Sequence, residues 1–119
     1  MGLFKNLRLK VLGYTDEEIM SMMSNIKVSD KAIKQYKFNV KNNRQEDKRA
    51  LTNKLKRNVL ISKDIQVDKN GREKIVHYGN LTIIVLDDTI MKVSNKLGQP
   101  REFKVDERLR KRINELYWI

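Results

Sequence analysis

Apolar residues recur every three or four positions through the first half of the chain and every second position after Leu60. A helical period therefore gives way to a strand period. Leu3, Phe4, Leu7, Val11 and Leu12 form one helical stripe, which Gly13 ends. Thr15 and Glu18 then have capping-box spacing, and Ile19, Met22, Met23 and Ile26 supply the inward face of a second helix. Ser29 or Asp30 caps a third, "KAIKQYKFNVKNN", with Ile33, Tyr36 and Val40 inward. The polar break "KNNRQED" separates it from a fourth, "KRALTNKLKRNVL", with Leu51, Leu55 and Val59 inward.

"LISKDIQV" alternates, and Asn70-Gly71 behind it is a strong hairpin signal, because a type I′ turn needs positive φ at both positions. "REKIVHY" is the return strand, Gly79-Asn80 a second turn, "LTIIVL" a third strand, Asp87-Asp88 a third turn and "TIMKV" a fourth strand. Two-residue turns set the register, and the register sets the faces. Ile61, Ile65, Val67, Val76, Tyr78, Leu81, Ile83, Val85 and Ile90 fall on one face, which the helices must cover. The other carries Asp64, Gln66, Ile75, His77, Thr82, Ile84, Met91 and Val93, with a transverse row Asp64–His77–Thr82–Val93. After a loop around Pro100, the tail "VDERLRKRINELYWI" puts Val105, Leu109, Ile113, Leu116 and Tyr117 on one helical stripe.

Helices, then a meander, then a helix is the α+β order. The expected fold is a set of N-terminal helices on a four-stranded antiparallel meander with a C-terminal helix. Residues 1–119 make a single domain on this reading, with a helical part over 1–58, the meander over 60–94 and the last helix over 104–118. Without cysteine there is no disulfide framework, which fits a reducing cytoplasm. No apolar run approaches a membrane span, and Lys5, Arg8 and Lys10 break up the only stretch placed to be a signal peptide. No membrane partner is expected.

Charge changes the picture most. Lysine and arginine total 26 against 15 acidic residues, a net +11 on a small domain. Such a balance favours a polyanionic partner, most often nucleic acid. Seven basic residues lie between Lys41 and Arg57 against two acidic ones, and Arg108, Arg110, Lys111 and Arg112 form a second cluster. Lys48, Arg49, Arg57, Arg72, Lys74, Arg110 and Arg112 are the candidate nucleic-acid contacts; a solvated helix face is the plain alternative for each cluster. The aromatic residues form no stacking motif, and Tyr36 and Tyr78 read as core. Trp118 either docks the last helix or anchors a partner.

His77 is the only histidine. A carboxylate beside an imidazole favours its charged form and fixes its tautomer, which suits proton transfer. The plain alternative is a cross-strand polar pair. The chain has no Gly-rich phosphate loop, no nucleophile elbow and no HExxH, and its acidic residues are scattered, so neither cofactor nor metal is expected.

"VSDKAIKQYKFNV" and "NGREKIVHYGNLTIIVLDDTIMKVSN" resemble small phage and mobile-element proteins of the barnase–colicin–RelE-like ribonuclease-toxin group, over about residues 28–95. In that group the first helix usually opens with Ser-x-His-Ala, carries an arginine four residues after the histidine, and a late strand ends in Thr-Val. Lys31 stands here in place of the histidine, Gln35 in place of the arginine and Lys92 in place of the threonine. The resemblance implies an RNA-directed protein: either a divergent, metal-independent endoribonuclease using Lys31, His77 and Lys92, or a relative that kept the surface without the catalysis. An antitoxin or host protein is the implied protein partner. A non-enzymatic phage-type regulator is the competing function. It would bind DNA or a host protein through its helices, with the methionine-rich second helix as a contact surface.

Overall fold

The computed structural model describes residues 13–40, 43–95 and 104–119. The expected helix over 3–12 lies outside them, as does most of the loop around Pro100. The described elements are helix α1 (Asp16–Asn25), strand β1 (Lys27–Val28), α2 (Asp30–Asn39), α3 (Lys48–Ile61), β2 (Asp64–Val67), β3 (Glu73–Tyr78), β4 (Leu81–Leu86), β5 (Thr89–Asn95) and α4 (Glu107–Tyr117). Each helix starts at an oxygen-bearing cap. The Thr15 hydroxyl accepts from Glu18 N–H at 3.1 Å while the Glu18 carboxylate accepts from Thr15 N–H at 3.4 Å, the reciprocal capping box. Ser29, Asp47 and Asp106 cap α2, α3 and α4 by accepting from the Ala32, Ala50 and Leu109 N–H groups.

The fold is α+β; among the described residues four helices pack with a five-stranded mixed sheet of order β1-β5-β4-β3-β2. The extra strand is β1, read from sequence as the link between two helices. It pairs parallel with β5, Lys27 beside Thr89 and Val28 beside Ile90. Two residues paired to a strand some sixty positions away leave no local periodicity to read. Beyond Val28 the same edge of β5 is closed by α2 side chains. Gln35 Oε1 accepts from Val93 N–H at 2.8 Å, and Asn39 Nδ2 donates to the Val93 carbonyl at 3.3 Å. An edge that would otherwise offer unpaired amides is thereby satisfied.

The meander has the expected pairings in its first two hairpins. Asp64 lies opposite His77, Ile65 opposite Val76, His77 opposite Thr82 and Tyr78 opposite Leu81. The first turn reaches that register by another route. Gly71 takes φ 71° and donates its N–H to the Asp68 carbonyl, and Asp68 Oδ1 accepts from Arg72 N–H; Asn70 has no positive φ. The third hairpin departs from strict alternation. Leu86 faces Thr89 as expected, but the register shifts between Ile84 and Val85, so Met91 is bulged out and Thr82 faces Ser94. Val93, expected on the outer face, is buried opposite Ile83. The bulge lets Ile90 and Val93, three residues apart, both point inward. Burying a valine is worth about 2 kcal/mol, more than the roughly 1 kcal/mol of one lost ladder bond.

Two apolar clusters result. One joins the inner sheet face (Val76, Leu81, Ile83, Val85, Ile90, Val93) to Ala32, Ile33 and Tyr36 of α2 and Leu51, Leu55 and Val59 of α3. The other packs Ile19 and Met23 of α1 against Ile61, Leu109 and Ile113. The helix α3 runs on through Leu60 and Ile61, which the alternating pattern assigned to the first strand. Ile65 and Val67 of β2 were expected in the core, yet they are 40% and 55% exposed, because β2 is the edge strand farthest from α2. Met23 is buried and Met22 half-buried, so of the three methionines of α1 only Met20 is exposed. The methionine-rich contact surface expected of this helix is therefore largely interior.

Candidate nucleic-acid interface

Alternation along β3 and β4 leaves one sheet face away from the α2 and α3 packing. It carries Asp64 and Gln66 from β2, Ile75 and His77 from β3, Thr82 and Ile84 from β4, and Lys92 and Ser94 from β5. Two transverse rows cross it: Asp64–His77–Thr82–Ser94 and Gln66–Ile75–Ile84–Lys92. Residues directly opposite in such ladders have Cβ atoms about 5 Å apart. His77 is half-buried, and its backbone is fixed from the side by the buried Ser62 hydroxyl, which donates to the His77 carbonyl at 2.6 Å. Ser62 itself is held where the chain re-enters beside β2, bridged to Val105.

The basic residues nominated by their clustering are mostly committed elsewhere. Arg57, expected among the nucleic-acid contacts, is buried, donating from Nε and Nη2 to Asn58 Oδ1 and from Nη1 to Asn114 Oδ1 at 3.0 Å. It joins α3 to α4 and presents no guanidinium to a phosphate. Arg112 clamps Asp16 of α1 through its Nε at 2.8 Å and reaches Glu115 at 2.7 Å. These two carboxylates hold its guanidinium firmly charged. Arg72 donates to Asp87 across the sheet end, and this hydrogen bond, with the charge behind it, holds the Asp87 carboxyl below the usual range. Lys48 lies 2.8 Å from Asp30 and lowers that carboxyl in the same way, chiefly by its hydrogen bond. Arg110 has Glu107 at 3.7 Å. Lys74 is half-buried on the inner face, between Val67 and Val85. Arg49 is exposed.

The remaining candidates behave differently. Lys31 is exposed on α2, one turn before Gln35 and so on the flank that meets β5, and Lys92 is exposed on β5 next to the Val93 that Gln35 holds. Neither makes an ion pair among the described residues. They flank one sheet edge, with His77 two strands further in on the open face. Strand spacing puts the backbones of His77 and Lys92 roughly 12 Å apart, too far for direct contact and near enough to flank one bound strand. Clustering in sequence could not reveal this pair, because the two residues are neighbours only through the α2–β5 seam. A further residue escaped notice. Phe38 is 74% exposed on α2. Its place two residues after Tyr36, about 200° round the helix, was a usable signal.

Among the described residues no three His, Asp or Glu side chains come together in a metal-ligating group, and no helix is long and apolar enough to cross a membrane. A family model described as YorE matches residues 26–116. The chain belongs to the YorE family. That makes it a protein of phage type, and the match runs from the end of α1 through nearly all of α4, taking in the whole sheet. No curated protein and no solved structure matches it.

Proposed function

We propose that this YorE-family chain is a cytoplasmic nucleic-acid-binding protein with RNA as its target, bound across the open sheet face and the β5 edge. The observation that carries the reading is the pair Lys31 and Lys92, exposed and outside any ion pair among the described residues, flanking that face on a chain of net charge +11. Lysines in this state release counterions when they meet phosphates, whereas lysines already paired release fewer. The test is fluorescence anisotropy with a labelled 20-nucleotide oligouridylate across a salt series. Binding should weaken log-linearly as salt rises. Intact protein that leaves the probe unbound at micromolar concentration in low salt, or binds it independently of salt, overturns the proposal.

A second reading adds cleavage, and the Asp64–His77–Thr82 row favours it. In this reading His77 takes the proton from a ribose 2′-hydroxyl. The 2′-oxygen attacks phosphorus, the 5′-oxygen leaves with the proton that the His77 imidazolium gives back through water, and Lys92 and Lys31 stabilise the charge on the phosphorane. The products are a 2′,3′-cyclic phosphate and a 5′-hydroxyl end. Total RNA incubated with the protein and EDTA reads this out beside His77→Ala and Lys31→Ala. Cleavage that survives chelation and vanishes in a variant supports it. RNA that is bound and stays intact eliminates it, and leaves a non-enzymatic regulator of the kind that binds nucleic acid or a host protein.

A further inference from the structure

The outward face of α2 combines charge with an aromatic ring. Lys31, Lys34 and Phe38 stand at i, i+3 and i+7, one stripe along about 10 Å of helix. All three are exposed, Phe38 at 74%. The opposite side of the same helix holds Ala32, Ile33 and Tyr36 in the core, and the Gln35 and Asn39 amides tie its flank to β5. The helix is thus fixed on two sides, and Phe38 has no packing task within the described chain. An exposed phenylalanine leaves an apolar face in water, and a second exposed aromatic or aliphatic side chain of a protein interface does not accompany it on this stripe; two ammonium groups do. That combination complements a partner that offers flat rings and negative charge in alternation, which is single-stranded nucleic acid. In a duplex the rings are stacked away, and an acidic protein surface offers charge without the rings.

We propose that Phe38 is a stacking platform for an unpaired base of single-stranded RNA, with Lys31 and Lys34 on the adjoining phosphates. The inference rests on the nucleic-acid reading above and adds to it the strandedness of the ligand and the residue that senses it. The bound strand runs from α2 over the β5 edge, past Lys92, towards the open face. Phe38→Ala removes the ring without disturbing the core, and its melting temperature should match that of the parent chain.

The experiment measures binding of the 20-nucleotide oligouridylate and of a 20-base-pair RNA duplex to the wild-type chain, Phe38→Ala and Phe38→Trp. Stacking of one base corresponds to a loss of roughly five- to a hundredfold on alanine substitution. The loss should fall on the single strand alone, leave the salt slope unchanged, and be recovered by tryptophan. Equal affinities of Phe38→Ala and wild type for the single strand overturn this inference while leaving RNA binding itself standing. Equal losses on single strand and duplex overturn it too, since the ring then acts on the shape of the patch. Competition by polyglutamate as effective as by unlabelled oligouridylate assigns the stripe to acidic proteins and overturns it. Absence of any binding by the wild-type chain overturns both proposals.

Discussion

Two basic regions of this protein look alike in composition and differ in what their charges do. In α3 and α4 two of the arginines are structural. Arg57 is buried between Asn58 and Asn114, and Arg112 ties α4 to α1 through Asp16. Along α2 and β5 the lysines Lys31, Lys34 and Lys92 stand exposed while neutral amides, Gln35 and Asn39, make the joint. The difference follows from the side chains. A guanidinium offers several donors in a rigid fork and serves as a bracket between elements, whereas an ammonium on a flexible stem stays hydrated. A dense basic run is therefore a poor guide to the charge available for a partner.

The comparison breaks most sharply at Arg57. Replacing it with alanine leaves the buried Asn58 and half-buried Asn114 amide oxygens without these donors and should cost about 2 kcal/mol in urea unfolding. Oligouridylate affinity per folded molecule should not change; a variant of full stability and weak binding would invert the assignment. Next comes the opposite experiment, Lys31→Gln with Lys92→Gln. Stability should stay within about 0.5 kcal/mol, while the slope of log affinity against log salt falls by roughly 1.4, about 0.7 for each lysine on a single strand. Tyr36→Phe removes the hydroxyl that accepts from Asn58 Nδ2 at 3.3 Å, beside the Arg57 bracket. It should lower stability by about 1 kcal/mol, read from the same urea curves.

The smallest effect belongs to the exposed pair Arg72–Asp87. The Asp87 carboxyl is depressed below its ordinary 3.8 by Arg72, so the pair stabilises the fold above that value and the contribution disappears as pH falls through the lower folded value. Asp87→Asn, which tolerates the φ of 46° at this turn, should unfold at a slightly lower temperature than wild type at neutral pH and at the same temperature once the pH lies below the depressed folded value. A difference that persists unchanged into acid would mean that the turn conformation, and not the ion pair, is at stake.

Much of the frame was legible because it is local. The capping box at Thr15 and Glu18, the inward residues Leu51, Leu55 and Val59, and the facing of His77 with Asp64 and Thr82 depend on neighbours within a turn or a hairpin. The first hairpin kept its register even though Asn70-Gly71 did not form the expected turn, since the apolar pattern of two strands outweighs the geometry of one loop. The bulge at Met91 was harder to see. Its trace is two core residues three apart, Ile90 and Val93, which strict alternation cannot place on one face.

By itself, the order of residues determined the class of fold, the helix starts, the pairing of the first hairpins and the excess of positive charge, because each of these arises from short-range periodicity or from simple counting. Only the tertiary structure decided which charges are available. It paired β1 with β5, laid α2 along that edge, turned Arg57 inward and left Lys31, Phe38 and Lys92 outside. The physical reason is that a charge is neutralised by what lies next to it in space, and these neighbours are brought together by contacts across some sixty residues of chain.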